Sequence, residues 1–417
     1  MINKIKNLST YIGFEILNKI IPFVMLPIIT KYLMPQDYGL IASFNSYVAF
    51  LYIFIGLSIH GLIGVEFFNI SKKRFSILVA NGIFLLLYSS FVIFVLQLFC
   101  IDLIQEYFHI VQVFILFSVC LVFFRYITLL NLTIFISEEK PLYYGMYQFT
   151  QSILNIILII LFVIYFRYGY KGYISAILLN EISFGIISLF FLKYRGFLNF
   201  KKRNIYIKKY LHFGIPLILH QISGWLKTGA DKLLLISLVG ASATGLFQLG
   251  YQISSIMIIT VTAIHKVWNP YIYKKLALGL NEDDKLKIVK SSYLYFIILV
   301  LLSFILYLFS KYVIINFIDS SYLESTKYIF WIVIAFAFNG MYFMVVSYIF
   351  YYKKTKVLAK ITFFTAIIHI SLSFVLIKLF GAIGSAYAMS ISYFITFISV
   401  WYYSNKVYPL PWLKVFR

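Results

Sequence analysis

Residues 76–99 read SILVANGIFLLLYSSFVIFVLQLF, a run of 24 residues without one ionised side chain, entered directly from Lys72, Lys73 and Arg74. A hydrocarbon core about 30 Å thick is crossed by roughly 20 apolar residues in a helix, so this stretch predicts a spanning helix with its cations left at one membrane face. A barrel strand would instead show alternation over about 10 residues. The same reading extends along the whole chain. Further spans are predicted at 9–30, 40–65, 111–136, 144–165, 173–194, 211–230, 238–264, 291–310, 327–350, 358–378 and 384–403. The composition agrees: 62% of the 417 residues are hydrophobic and 12% charged, and the mean hydropathy is +0.92. These values lie far from those of soluble globular domains. The expectation is an all-α polytopic membrane protein with about twelve transmembrane helices.

The net charge of +22 would suit a nucleic-acid partner if it were clustered on a soluble face. It is distributed by sidedness instead. With the N-terminus in the cytoplasm, 26 of the 36 Lys and Arg fall on inner connections and tails, seven on outer connections, and Lys19, Arg125 and Lys227 within spans. This is the positive-inside pattern, which puts both termini in the cytoplasm for an even number of spans. It also makes membrane lipids the partner of the basic loops and leaves no role for nucleic acid. Residues 9–30 are interrupted by Glu15, Asn18 and Lys19 and are followed by no small-residue cleavage site, so they read as a permanent first helix. Cys100 and Cys120 form neither a disulfide framework nor a metal pair. The chain carries no nucleotide-binding loop and no zinc-protease motif. No cofactor or metal is expected, and transport would have to draw on a gradient.

The basic connection 193–209 separates six spans from six, which predicts lobes at 1–200 and 201–417. Internal similarity supports the division. Tyr168-Gly169-Tyr170-Lys171-Gly172 before span six matches Phe380-Gly381-Ala382-Ile383-Gly384 before span twelve, 212 positions later. Likewise 35–40 after span one parallels 241–246 after span seven. Six helices per repeat make the halves parallel, with a substrate site expected where they meet.

Ionised side chains inside a span cost roughly 2.5–3.5 kcal/mol each on insertion scales, so the few present are candidate functional groups. They are Glu15, Lys19, Arg125, Glu181, Lys227 and Asp231. Glu15 and Lys19 are four apart, as are Lys227 and Asp231, so each pair can neutralise itself along one helix face. Arg125 has no acidic residue within reach on its own helix, and its planar fork suits phosphate oxygens. Glu181 lies near the middle of span six with no basic residue at i±3 or i±4. Span five aligns Gln148, Gln151 and Asn155 on one side, and span eight aligns Gln248 and Gln252. Such amides serve either as interhelical glue or as the wall of a hydrated cavity. His60, His220, His265 and His369 belong to a residue type that titrates near neutral pH, but their spacing marks no metal site and they read as structural.

The run from Ile21-Pro22 through Pro27 to Pro35-Gln36-Asp37-Tyr38-Gly39, then Gly214-Ile215-Pro216, Asp231, Gly245 and Trp268-Asn269-Pro270, resembles the O-antigen and polysaccharide repeat-unit flippases. These belong to the multidrug/oligosaccharidyl-lipid/polysaccharide exporter superfamily. The resemblance implies two six-helix lobes forming a V-shaped central cavity, alternating access, and a non-enzymatic flippase of the bacterial inner membrane. Its implied cargo is an undecaprenyl-pyrophosphate-linked oligosaccharide, with polysaccharide polymerase and chain-length proteins as partners. On this reading Lys19, Arg125 and Lys227 hold pyrophosphate, while Gln148, Gln151, Asn155, Gln248 and Gln252 bind glycan. Glu15, Glu181 and Asp231 couple to a proton or sodium ion, with Glu181 preferred. Glu66 stands where the family tends to place a basic residue, which argues against a substrate-binding cation at the end of span two. A drug/cation antiporter of the same superfamily would favour an acidic or aromatic site. A membrane polymerase, ligase or glycosyltransferase would expose a larger outer loop than 311–326.

Overall fold

The computed structural model describes residues 2–416, and the side chains of 2–9, 11, 12, 15, 16, 415 and 416 lie outside what it describes. Among the described residues there is no strand. Contacts divide the chain into two compact units, Met1–Trp225 and Leu226–Arg417.

The first unit contains α1 (Ile2–Ile29), α2 (Pro35–Gly56), α3 (Ile59–Glu66), α4 (Lys72–Phe99), α5 (Ile101–Phe108), α6 (Gln112–Ser137), α7 (Pro141–Ile159, continued by a π-helical turn to Tyr165), α8 (Gly169–Tyr194) and most of α9 (Asn204–Thr228). The second contains the end of α9, then α10 (Ala230–Leu238), α11 (Ala241–Leu278), α12 (Glu282–Phe317), α13 (Thr326–Tyr351), α14 (Thr355–Phe380) and α15 (Ile383–Val407). These helices fall in order on the twelve predicted spans. Among the described residues, ten helices are long and apolar enough to cross a membrane, and α1 adds the shorter apolar run Leu17–Ile29. The protein is a multi-pass membrane protein. The seventh pass lacks a comparable apolar window because α9 carries Lys208, Lys209, His212, His220, Gln221 and Lys227.

The contact division falls inside α9, later than the basic connection that separates the two sets of spans. Its cause is local packing. Tyr210 is fully buried and its hydroxyl donates to Leu78 O at 3.0 Å. Four turns on, Trp225 Nε1 donates to Ser46 O at 3.0 Å. A buried side-chain donor that satisfies a helix carbonyl ties one helix to another at little desolvation cost.

Two passes read as continuous in the sequence are broken. In the second, Leu57 and Ser58 adopt φ of 44° and 53° between α2 and α3, a left-handed conformation costing about 1–2 kcal/mol for a residue with a Cβ. Neighbours hold the break in place. A Cβ at Gly56 would lie 1.5 Å from Tyr126 Cζ, so the ring rests directly on the backbone. Tyr126 donates to Tyr52 O at 2.9 Å, Ser89 donates to Ile55 O at 2.7 Å, and Gln221 Nε2 donates to Ser58 Oγ at 2.7 Å. Irregular backbone at membrane depth is tolerated where protein groups satisfy it in this way. The seventh pass breaks at Gly229, between α9 and α10.

The paired glycine turns have matching geometry. Gly169 and Gly381 both take positive φ, at 57° and 70°, and a Cβ at Gly172 or Gly384 would lie 2.8 Å or 2.1 Å from the carbonyl oxygen of Phe162 or Leu376. In each unit the turn feeds the last long helix of a six-span set.

Candidate transport site

In the first unit the intramembrane charges meet across helices. Arg125 on α6 donates through Nε to Glu181 Oε1 on α8 at 2.9 Å, and Gln151 on α7 donates to Glu181 Oε2 at 3.3 Å. Helical phase aligns α6, α7 and α8 so that cation, carboxylate and amide converge. Glu181 is buried, whereas the Arg125 side chain remains 35% exposed. The absence of an acid on α6 therefore does not leave Arg125 without a counterion, and Glu181 likewise has a basic partner on another helix. Asn18 on α1 accepts from Ser152 on α7 at 3.1 Å, and Phe14 packs on the backbone of Gly145. Lys19 and Gln148 are half-buried on these helices. Asn155 leaves its side-chain oxygen buried without a hydrogen-bond partner among the described residues. The side chain of Glu15 lies outside the described residues.

In the second unit the expected Lys227–Asp231 pair does not form, because Gly229 ends α9 between them. Asp231, 2% exposed, turns to α14. His369 Nε2 lies 3.0 Å from Asp231 Oδ2, and Ser373 donates to Oδ1 at 2.7 Å. The other imidazole nitrogen lies 2.9 Å from Ser392 Oγ on α15. A carboxylate that accepts two hydrogen bonds in a buried site avoids most of the cost of being left unpaired.

Lys227 points elsewhere. Its ammonium donates to Thr365 Oγ1 and Thr396 Oγ1, both at 2.9 Å, and lies 5.7 Å from the Tyr393 ring centroid. Each threonine donates its own proton to a helix carbonyl, Thr365 to Thr362 O at 3.2 Å and Thr396 to Ser392 O at 2.7 Å. Both hydroxyl oxygens are thereby turned toward the ammonium. Among the described residues no carboxylate lies within 4.0 Å of Lys227, so its positive charge is solvated but not neutralised. Lys232, beside Asp231, lies 4.9 Å from the Tyr251 ring centroid on α11. Gln248 and Gln252 are half-buried on α11, and the side-chain oxygen of Gln248 is buried without a partner among the described residues.

Sequence reasoning missed His369, Ser373, Ser392, Thr365 and Thr396 as contributors. A signal was present. Thr365, His369 and Ser373 recur every four residues on α14, as do Ser392 and Thr396 on α15, the same phase rule that selects the glutamine faces. What the spacing could not show is that these stripes face α9 and α10.

Among the described residues, ten helices long enough to span a membrane, two broken passes and charged clusters between helices make up an all-helical membrane fold that solved structures share. An inward-facing multidrug resistance MATE family transporter of the MOP superfamily superposes with a TM-score of 0.75 at 14% identity, covering 93% of this chain and 94% of the other. The lipid II flippase MurJ, in its inward closed conformation, gives 0.67 at 15% identity, covering 97% and 89%. At these identities the likeness establishes the fold. Residues 5–275 match the family described as polysaccharide biosynthesis protein, and the chain belongs to that family. It is also similar to Lsg locus putative protein 1 of Haemophilus influenzae, 24% identical over 407 residues and covering 94% of this chain and 97% of the relative.

Proposed function

We propose that the protein is a flippase that carries an undecaprenyl-pyrophosphate-linked oligosaccharide from the cytoplasmic to the outer face of a bacterial inner membrane by alternating access, without chemistry on the cargo. The observation that carries this reading is Lys227, an intramembrane ammonium held by two neutral hydroxyls. Lys227 is half-buried, and an intramembrane cation without a counterion is costly unless an anion visits it. Arg125, partly exposed, and Lys19 are the further pyrophosphate candidates. Gln148, Gln151, Asn155, Gln248 and Gln252 supply donors and acceptors suited to glycan hydroxyls.

An organic-cation antiporter would need a carboxylate open to its substrate. Of the intramembrane carboxylates whose side chains are described, Glu181 is bonded to Arg125 and Asp231 to His369, which favours an anionic cargo. For coupling, Asp231 with His369 is the better candidate than Glu181. Asp231, His369 and Ser392 form one hydrogen-bonded chain from α10 through α14 to α15, and the Ser392 hydroxyl also lies 3.0 Å from Met389 O.

The test is reconstitution with a synthetic lipid-pyrophosphate oligosaccharide whose outer-leaflet fraction is read by a membrane-impermeant glycosidase. Flipping by the wild type and its loss in Lys227→Met support the proposal. Export of an organic cation, with no movement of the lipid-linked glycan, would overturn it in favour of the antiporter.

A further inference from the structure

At the basic end of the first unit, α6, α7 and α8 enclose a groove of about 570 Å³ that the proposed transport does not use. Its walls are apolar and aromatic, among them Tyr143, Met146, Tyr147, Phe184 and Phe191. Tyr143 and Met146 are 64% and 61% exposed, so the groove opens sideways toward lipid. Its volume is in the range of small-molecule sites.

The mouth of this groove is charged, unlike the remainder of its lining. Lys140 and Arg195 border it, and both pair with one carboxylate, that of Glu138. Two cations share this one anion, and with the exposed Glu139 beside Lys140 the net positive balance of the rim is completed by Lys72. The cations also fix the aromatic wall: Lys140 Nζ lies 5.8 Å from the Tyr143 ring centroid, Tyr143 stacks on Phe135 with centroids 6.0 Å apart, and the Arg195 guanidinium lies 4.6 Å from the Phe135 ring. Such contacts keep Arg195 at the groove's edge. Lys72 stands beside Glu138 in an adjoining cavity, adding to the basic character. The rim lies where α6 and α8 end and α7 begins, which is headgroup level for a spanning bundle.

We propose that this groove is a binding site for an anionic phospholipid of the leaflet on the basic side, with one acyl chain along the aromatic wall and the phosphate at Lys140 and Arg195. Charge complementarity selects the occupant. A zwitterionic lipid supplies the same chain but brings its own cation to a rim that is already positive. The proposal is independent of the identity of the cargo.

Native mass spectrometry of the detergent-purified full chain, titrated with phosphatidylglycerol or phosphatidylcholine of matched chains, tests it. Wild-type protein should retain phosphatidylglycerol about tenfold more tightly, the order expected for basic residues near a membrane surface. The combined variant Glu138→Gln, Lys140→Gln, Arg195→Gln should lose the preference. Thr150→Trp, which fills the groove without changing charge, should lose the retained lipid of either kind. A phosphatidylglycerol with a photoreactive acyl chain should label 143–150 and 184–194 of the unaltered protein, so the test does not depend on either variant folding. Equal retention of the two lipids by the wild type, or labelling confined to other helices, would overturn the proposal. So would displacement by undecaprenyl phosphate in the absence of any preference for phosphatidylglycerol, which would assign the groove to a prenyl phosphate instead.

Discussion

The two units solve the problem of intramembrane charge differently. In the first, Arg125 and Glu181 neutralise each other across α6 and α8. In the second, the opposite charges are kept apart: Asp231 is satisfied by an imidazole and a hydroxyl, and Lys227 by two threonines. An ion pair has little charge left to offer a ligand, whereas an ammonium held by neutral oxygens has no described carboxylate competing with one. The difference points to a structural emphasis for the first cluster and an anion-binding emphasis for the second.

The largest effect should come from unpairing the second unit's carboxylate site. Asp231→Ala leaves His369 and Ser373 buried without their acceptor and should destabilise the fold by about 3–5 kcal/mol, the range for breaking a buried pair. Asp231→Asn should cost far less, because the amide oxygen still accepts from Ser373 and the imidazole can change tautomer with Ser392. Thermal unfolding in detergent separates the two variants. Equal destabilisation would show that charge, and not hydrogen bonding, holds the site.

Lys227→Met should change stability little, since Thr365 and Thr396 keep their bonds to helix carbonyls. It should instead weaken the binding of a prenyl pyrophosphate by tenfold or more, as expected for a hydrogen bond to a charged group worth about 1.5–3 kcal/mol. Calorimetric titration reads it. A stability loss with unchanged affinity would make Lys227 a structural residue.

In the first unit, Arg125→Ala should destabilise by leaving Glu181 with only Gln151, and adding Glu181→Ala should restore part of the loss. A double-mutant cycle on unfolding should return a coupling of about 0.5–3 kcal/mol. No coupling would mean that the two residues act separately and would free Arg125 for the cargo. Smallest of all should be Lys327→Ala. Its bond to Glu324 Oε2, 3.0 Å long, joins two exposed side chains three residues apart, and about 1 kcal/mol or less, reduced further by salt, is expected.

The spans were legible because an apolar run of roughly 20 residues matches the thickness of a hydrocarbon layer and exceeds what most soluble cores bury, and the charges inside them were legible because they are rare. The pairings were not. Assigning Lys227 to Asp231 assumed an unbroken helix, and Gly229 between them shows why four residues of spacing are no guarantee. The break at Leu57 and Ser58 carries no proline, and it depends on Tyr126, Ser89 and Gln221, which come from other helices. Arg125 and Glu181 lie 56 positions apart and His369 lies 138 from Asp231; one sequence shows that each is polar, but not which polar face it meets. The stripe of Thr365, His369 and Ser373 was visible in phase, yet a polar stripe on one helix is ordinary until its partner is known.

If the second unit holds the cargo's anion through Lys227, the most direct measurement is the affinity of a soluble prenyl pyrophosphate. It is compared for the wild type, for Lys227→Met and for the paired variant Arg125→Met, Glu181→Met, all verified as folded by their unfolding temperatures. The expected result is a tenfold or greater loss for Lys227→Met, a change in affinity that corresponds to about 1.4 kcal/mol, and less than about a third of that loss in free energy for the paired variant. Undiminished affinity in Lys227→Met, with binding lost in the paired variant, would contradict it and move the anion site to the first unit.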